Sequence, residues 1–151
     1  METETGCIND MKIYVNICIT AILLFLNGLS KAQKPVNDTL VYLKKFETNK
    51  EKYIGKPFSL LLKDMVQLQP KKAKSDFRED LNNPLPNTSF TFSQKEMGSR
   101  PEATLSIRWK ADDSPTAPIE FFEQEHNYFF TLNERNFFEK KIIKDIIVYK
   151  K

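Results

Sequence analysis

The stretch LSIRWK, residues 105–110, carries the clearest secondary-structure signal in the chain. Leu105, Ile107 and Trp109 alternate with polar residues, and a period of two is the pattern of a half-buried β-strand. This alternation places Trp109 on the buried side and Arg108 on the opposite side. An aromatic strand flanked by cations can also stack nucleic-acid bases, but a buried Trp109 does not fit that use. We therefore predict a core strand here and no nucleic-acid partner.

Weaker strand patterns before and after this stretch predict further strands of the same sheet. Phe90 and Phe92 alternate with polar residues, which predicts a strand before it. Residues 119–123 and 128–132 predict a third and a fourth strand after it. Residues 70–89 are rich in proline, asparagine and charge, so we predict a long surface loop there.

The C-terminal stretch supports two interpretations. Apolar residues with the spacing of one helix face run from Phe138 to Tyr149. Five β-branched residues in the same run favour a strand instead. We predict a short helical turn over Glu134–Glu139 and then a strand over Ile142–Tyr149.

Two helices are predicted ahead of the sheet. Asn37 or Asp38 can cap the first helix, which runs to about Lys50. The second helix lies within YIGKPFSLLLKDM, residues 53–65, and has one apolar stripe formed by Phe58, Leu61, Leu62 and Met65. Helices followed by an antiparallel meander predict an α+β domain, with two short N-terminal helices packed on about four to five strands.

The Gly-Lys pair at the start of the second helix resembles part of a phosphate-binding loop. Such a loop needs several glycines before its lysine and a serine or threonine directly after it. Gly55 stands alone, and Pro57 lacks the backbone N–H that an anion would require. We therefore interpret Gly55 as a left-handed turn residue between the helices, and Pro57 as the first residue of the second helix.

The chain begins with a segment typical of a secretory signal. An apolar run follows Lys12 and ends in the small residues Ser30 and Ala32, so cleavage is predicted after Ala32. The residues before Met11 are acidic and fit a signal poorly, which makes Met11 an alternative start. An uncleaved membrane anchor is the competing interpretation. The uninterrupted apolar part, residues 17–26, is shorter than the about 20 residues that a membrane span needs.

Residues 1–32 are therefore predicted to be a signal peptide, and residues 33–151 a single domain of 151 − 32 = 119 residues. Cys7 and Cys18 both lie in the signal, so the domain is predicted to be free of cysteine, although it would be periplasmic or secreted. The chain has 23 basic and 20 acidic residues, and removing two basic and three acidic residues with the signal leaves 21 − 17 = +4. This mild positive charge favours solubility and weak attraction to anionic surfaces.

His126 is the one histidine of the chain, and it lies close in sequence to Glu123 and Glu125. A metal site needs three or four ligands in a fixed arrangement. On a strand, Glu123 and Glu125 would share one face while His126 would point to the other. We keep these three residues as candidates for a polar site and predict no metal, no cofactor and no catalytic residue.

Two other groups of residues are predicted to contact a partner. Lys71, Lys72 and Lys74 form a basic cluster in the predicted loop, which suits contact with anionic lipid or an envelope polymer. Phe122 and Phe130 belong to aromatic doublets. In a half-buried sheet one member of each doublet faces outward, and exposed aromatic side chains that lie together mark a partner site.

The segment YIGKPFS, the predicted meander and a final strand like KIIKDIIVYK together resemble small uncharacterised exported proteins of Gram-negative bacteria. The order of glycine turn, helix and meander is also similar to β-lactamase-inhibitor-like and PASTA modules. These resemblances imply an exported binding protein, and they carry over no site residue. Because the sequence shows no catalytic constellation and has a surplus of aromatic residues, we predict a non-catalytic protein that binds another protein or an envelope component. The alternatives are a small extracytoplasmic hydrolase that uses dispersed carboxylates, and a domain held at the membrane by an uncleaved N-terminal helix.

Overall fold

The structure of the chain is a computed structural model that describes residues 38–80, 82–94 and 102–150. The predicted signal peptide, the alternative start at Met11 and both cysteines lie outside these ranges. Among the helices that the structure describes, none has the length and apolar character needed to cross a membrane.

The described residues form an α+β fold, as predicted. The helices are α1 (Thr39–Thr48), α2 (Phe58–Asp64), α3 (Ala117–Glu125) and α4 (Leu132–Phe138). The strands are β1 (Lys72–Asp76), β2 (Asn87–Thr91), β3 (Ala103–Trp109) and β4 (Ile143–Lys150). Helices α1 and α2 precede the sheet, whereas α3 and α4 lie between β3 and β4, where the sequence predicts two strands and a short helical turn. Asp38 caps α1 through a hydrogen bond from the Val41 backbone N–H.

The strand predicted around LSIRWK is β3, and it lies inside an antiparallel sheet with the order β1-β2-β3-β4. Its register places Leu105 between Phe90 of β2 and Val148 of β4. Leu105, Ile107 and Trp109 are fully buried and Arg108 is exposed on the other face, as predicted, whereas Ser106 on that other face is also buried. The strand predicted around Phe90 is β2, although it begins and ends earlier than the Phe90–Phe92 pattern indicates.

Four aromatic side chains join the elements of the core. Phe58 of α2 stacks on Phe90 of β2 with ring centroids 4.9 Å apart. Trp109 of β3 stacks on Phe138 of α4 at 5.7 Å. Phe90 and Phe138 meet edge to face at 5.7 Å, so the two stacked pairs form one cluster. Such ring pairs contribute about 0.5–1.5 kcal/mol each beyond the area that they bury.

The Gly-Lys-Pro corner is a structural turn that attaches to the start of β4. Gly55 has φ +74°, the left-handed conformation that was predicted. Its N–H donates to the Ile143 carbonyl at 2.8 Å, and the Ile143 N–H donates to the Lys56 carbonyl at 3.0 Å. Pro57 is the N-cap residue with extended ψ, so α2 begins one residue later than predicted.

The conformation of Gly55 yields a stability prediction. An added Cβ would meet only the end of the Lys110 side chain at 3.8 Å, so the penalty comes from the positive φ and not from a clash. We expect Gly55→Ala to lower the free energy of unfolding by about 1–2 kcal/mol. Gly55→Asn should cost less, because asparagine tolerates this conformation. Denaturant titration measures both, and equal losses in the two variants would contradict this explanation.

The predicted third strand, residues 119–123, is wrong: these residues belong to helix α3. Ile119 and Glu123 lie four residues apart on the helix and are both buried, whereas Phe121 is exposed. Two prolines frame the start of the helix, and Pro118 occupies its first turn. The sequence of α3 resembles a strand because its core-facing side contains the buried acid Glu123. This acid interrupts the apolar spacing that would indicate a helix.

The predicted fourth strand, residues 128–132, is also wrong. Asn127 and Tyr128 both have positive φ, at 49° and 62°, and the chain turns there. Residues 128–130 lie beside β1 and exchange two backbone hydrogen bonds with it, Ala73 N–H to Tyr128 O and Phe130 N–H to Lys71 O. Helix α4 then starts at Leu132, and it corresponds to the predicted helical turn.

The predicted long loop over residues 70–89 is wrong at both ends, because β1 and the start of β2 lie within it. Strand β1 has the sequence KAKSD, which lacks any large apolar residue. Its core-facing positions are Ala73 and Ser75, and small side chains suffice there because β1 is an edge strand. Pairing with β2 therefore creates a strand that period-two hydrophobicity cannot reveal.

The predicted C-terminal strand is confirmed as β4, which contains an irregularity. Arg108 pairs with Asp145, but the next residue, Trp109, pairs with Ile143. Lys144 is therefore an extra residue on β4, which is the definition of a β-bulge. The bulge lets Ile143 and Ile146 both face the core although three positions separate them. This mixed spacing explains why the segment also fits a helix.

Candidate functional site

The side chains of the sheet that point away from the core form a polar surface, which we call the outer face. One row across the four strands consists of Lys74, Ser89, Ser106 and Ile147. The next row consists of Asp76, Asn87, Arg108 and Asp145. Only one of these eight residues is apolar, which is typical of an antiparallel sheet with one face turned from the core.

An open cleft of about 420 Å³ lies at the end of the outer face that contains Arg108. The strands contribute Asn87, Arg108 and Lys144 to its walls, and the loop after β1 contributes Arg78 and Asn83. Its other lining residues are Asp76, Pro86, Ser106, Trp109 and Ile147. This volume lies within the usual range for small-ligand sites, about 300–1,000 Å³.

Two cations in this cleft, Arg108 and Lys144, form no ion pair with an acidic side chain that the structure describes. Arg78 forms an ion pair with Asp76 at 2.9 Å. The Asp145 carboxylate, which is opposite Arg108 in register, is bound by Lys50 Nζ at 2.7 Å and also accepts the Ile146 N–H. The hydrogen bond from Lys50 lowers the pKa of Asp145. Across the part of the chain that the structure describes, neither Arg108 nor Lys144 forms an ion pair.

The bulge in β4 brings Lys144 to this cleft. The extra residue places Lys144 between the core-facing Ile143 and the outward Asp145, and Lys144 is exposed. Bulges commonly redirect a side chain in this way beside binding and active sites. Lys144 and Arg108 therefore line the same cleft, although they come from different strands.

Asn87 adds a hydrogen-bond donor to the floor of the cleft. The Ser106 hydroxyl donates to Asn87 Oδ1 at 2.6 Å. This bond fixes the amide so that its NH₂ group, which has two donors and no acceptor capacity, points away from Ser106. The cleft is therefore rich in donors and in positive charge.

A second polar group lies under the sheet, around the candidate residue Glu123. The indole N–H of Trp109 donates to Thr88 Oγ1 at 2.9 Å, and Thr88 lies 2.9 Å from Ser75 Oγ. Ser75 Oγ donates to Glu123 Oε1 at 2.6 Å, so the Thr88 hydroxyl must be the donor to Ser75. Four side chains thus form one directed chain that ends at a carboxylate. Burial raises the pKa of Glu123.

His126 and Glu134 form a separate polar group where α3 meets α4. His126 Nδ1 lies 2.6 Å from Glu134 Oε1, and His126 also stacks on Phe122. Glu134 accepts the Thr131 backbone N–H at 2.8 Å and completes a capping box at the start of α4. Burial alone would raise the pKa of Glu134, but the hydrogen bonds from Thr131 and His126 outweigh it and lower that pKa.

Buried and half-buried carboxylates also close the two edges of the sheet. Glu123 Oε2 accepts the Ser75 N–H of edge strand β1 at 3.0 Å. Glu47 Oε1 of α1 accepts the Val148 N–H of edge strand β4 at 2.7 Å. Unpaired N–H groups on an edge strand can pair with a strand of another chain, which leads to aggregation. By accepting these N–H groups, the two acids protect the sheet from such pairing. Both oxygens of Glu123 are occupied by Ser75, which indicates a structural role.

The three residues predicted as a polar site are not brought together. Glu123 is buried against β1, His126 caps the end of α3, and Glu125 is exposed. Among the described residues, no group of three or more His, Cys, Asp or Glu side chains is arranged to hold a metal ion.

The predicted partner contacts lie in different surroundings. Lys72 is buried on β1 with Nζ 4.7 Å from the Phe129 ring centroid, whereas Lys71 and Lys74 are exposed. These lysines lie on or next to an edge strand, not in a loop. Phe122 and Phe130 are half-buried, and the more exposed doublet members are Phe121 and Phe129.

The cleft residues carry little signal in the sequence, apart from the outward direction of Arg108. The irregular spacing of Ile143, Ile146 and Val148 is the one available sign of a bulge near Lys144. The position of Arg78 has no local signal, because it depends on how the loop after β1 folds back. The Arg78 N–H donates to the Pro84 carbonyl at 2.9 Å, which holds that loop beside the strands.

Comparison of the chain with protein-family models, curated proteins and solved structures finds no match. The resemblance to small exported proteins of Gram-negative bacteria therefore stays a prediction.

The structural role of Glu123 leads to a stability prediction. Glu123→Ala removes both acceptors from Ser75 and leaves a cavity, and we expect it to lower the free energy of unfolding by about 3 kcal/mol. Glu123→Gln keeps the size and one acceptor but sets its NH₂ group against one of the two Ser75 donors, so its loss should be about 1–2 kcal/mol, smaller than that of the alanine variant. Chemical denaturation of both variants provides the measurement. A loss under about 1 kcal/mol for the alanine variant would contradict the edge-closing role.

The capping role of Glu134 predicts a dependence of stability on pH. Its pKa is lower in the folded state than the ordinary value of 4.5, so the unfolded chain binds more protons. The stabilisation is therefore present above that value and is lost as the pH falls through the lowered pKa.

Glu134→Gln keeps a capping box without a titrating group. Thermal unfolding between about pH 7 and about pH 3 should show a smaller loss of stability for this variant than for the unmodified protein. The other carboxylates with lowered pKa values are present in both proteins, so the difference isolates Glu134. Parallel pH profiles would count against this assignment.

Proposed function

We propose that this protein is an exported, non-catalytic binding protein, and that the outer face of its sheet binds an anionic component of the cell envelope. Export is inferred from the signal-like segment over residues 1–32 and makes the protein periplasmic or secreted. The single observation that carries the binding role is the cleft that contains Arg108 and Lys144, neither of which forms an ion pair among the described residues. Unpaired cations that line a cleft raise the local concentration of anions.

The position of the buried acids supports binding over catalysis. A general acid or base must lie within hydrogen-bond reach of a bound substrate. Glu123 instead faces Ser75 with both oxygens, and Glu134 faces Thr131 and His126. The hydrolase that uses dispersed carboxylates therefore gains no support from these residues, and we retain the binding role.

The test compares the envelope association of two full-length variants with equal loss of charge. In Arg108→Ala/Lys144→Ala the unpaired cations of the cleft are removed. In the control, Lys45→Ala/Lys63→Ala, two exposed lysines are removed from helices α1 and α2, where alanine is favourable. We expect the cleft variant to be released from washed envelopes at least about tenfold more than the control, because a direct charge contact is lost.

Salt provides a second readout in the same experiment. Screening at about 0.5 M salt should release the unmodified protein and abolish the difference between the variants. Equal retention of both variants at low salt would overturn the proposed binding surface. Recovery of the chain from the cytosol with its first residues intact would overturn export.

A further inference from the structure

The cleft on the outer face also indicates which chemical group it takes. We infer that it binds an oxyanion, a phosphate or a carboxylate, through the guanidinium of Arg108 and the amide NH₂ of Asn87, with Lys144 as a second positive charge. This inference deepens the proposed function and rests on it for biological meaning. The binding chemistry itself follows from the lining residues alone.

The relative position of Arg108 and Asn87 is the first support. They are direct cross-strand partners in the register of β2 and β3. Side chains at such positions leave the sheet from Cβ atoms about 5 Å apart and on the same face. Two planar groups with N–H donors at this separation can both reach the oxygens of one oxyanion.

The balance of donors and acceptors is the second support. The Ser106 hydroxyl donates to Asn87 Oδ1, so the NH₂ group of the amide is turned away from Ser106 and is available as a donor. Arginine and lysine offer donors and no acceptors. The one carboxylate in the lining, Asp76, is paired with Arg78 through Nε and one terminal nitrogen. Most of the polar groups that line the cleft are donors, so a ligand that supplies acceptors fits it best.

The charge of the site is the third support. Arg78 and Asp76 offset one another, so Arg108 and Lys144 leave the lining with two unbalanced positive charges. Asp145 also attracts Arg108 electrostatically, but the ion pair with Lys50 balances the charge of Asp145, so the surplus of two positive charges remains. Neutral polar ligands would leave these cations unpaired, whereas an oxyanion neutralises one or both.

Isothermal titration calorimetry of the full-length protein makes the inference measurable. The indole of the single tryptophan, Trp109, is fully buried and bonds to Thr88 under the sheet, so its fluorescence does not report directly on the cleft. The heat of binding is therefore followed during titration with three probes. Inorganic phosphate and glucuronate carry the oxyanion, and glucose is the uncharged match to glucuronate. We expect saturable changes with phosphate or glucuronate and none with glucose.

Two conservative variants separate a built site from general positive charge. Arg108→Lys keeps the positive charge but loses the planar guanidinium, whose paired N–H groups can hold two oxygens of one oxyanion. The affinity for phosphate or glucuronate, whichever binds the unmodified protein, should therefore fall by about tenfold. Asn87→Asp keeps an acceptor for Ser106 and replaces the NH₂ donors with a negative oxygen, so binding should be lost. Lys45→Ala is the control and should bind as the unmodified protein does. Unchanged melting temperatures show that each variant folds.

Each outcome bears on a different proposal. Absence of any probe effect, equal effects of glucose and glucuronate, or unchanged affinity in Arg108→Lys and Asn87→Asp would overturn the oxyanion site. If the probes fail while the envelope association still depends on Arg108 and Lys144, the proposed function stands without the oxyanion site. If the probes bind at Arg108 but the envelope association does not depend on it, the oxyanion site stands and the envelope role falls. Binding of phosphate alone or glucuronate alone identifies the source of the oxyanion.

Discussion

The fold depends on closing the two edges of a sheet that is only four strands wide. Such a sheet would present the N–H groups of both outer strands to water or to another chain. Here Glu123 accepts the Ser75 N–H and the Tyr128 carbonyl accepts the Ala73 N–H on one edge, and Glu47 accepts the Val148 N–H on the other. Each acid belongs to a helix, so the bonds that protect the edges also fix α3 and α1 against the sheet. These two carboxylates are therefore part of the framework.

The closed edges and the aromatic cluster together decide where a ligand can bind. Helices cover one face of the sheet, because Phe58, Phe90, Trp109 and Phe138 need to be buried there. The opposite face keeps polar side chains at its pleat positions. The bulge at Lys144 then adds a cation to that face while Ile143 and Ile146 remain in the core. The bulge that keeps Ile143 and Ile146 in the core therefore also places the positive charge of Lys144 at the cleft.

The elements with strong local patterns are the ones that can be predicted from the sequence. Strand β3 alternates strictly, β4 is rich in β-branched residues, and α1 has the cap at Asp38. Helix α3 resembles a strand because Glu123 replaces an apolar residue on its buried face. Strand β1 resembles a loop because its inward positions need only Ala73 and Ser75. Both errors arise where tertiary contacts override local propensity.

The sequence by itself determined the α+β class, the inward direction of Trp109 and the left-handed turn at Gly55, since each follows from contacts over a few residues. Only the tertiary structure decided which acids close the edges and which cations meet in the cleft. Ser75 and Glu123 are 48 residues apart, and Glu47 and Val148 are 101 residues apart. Strand pairing and one bulge bring such residues together, and no local period of the sequence encodes that distance.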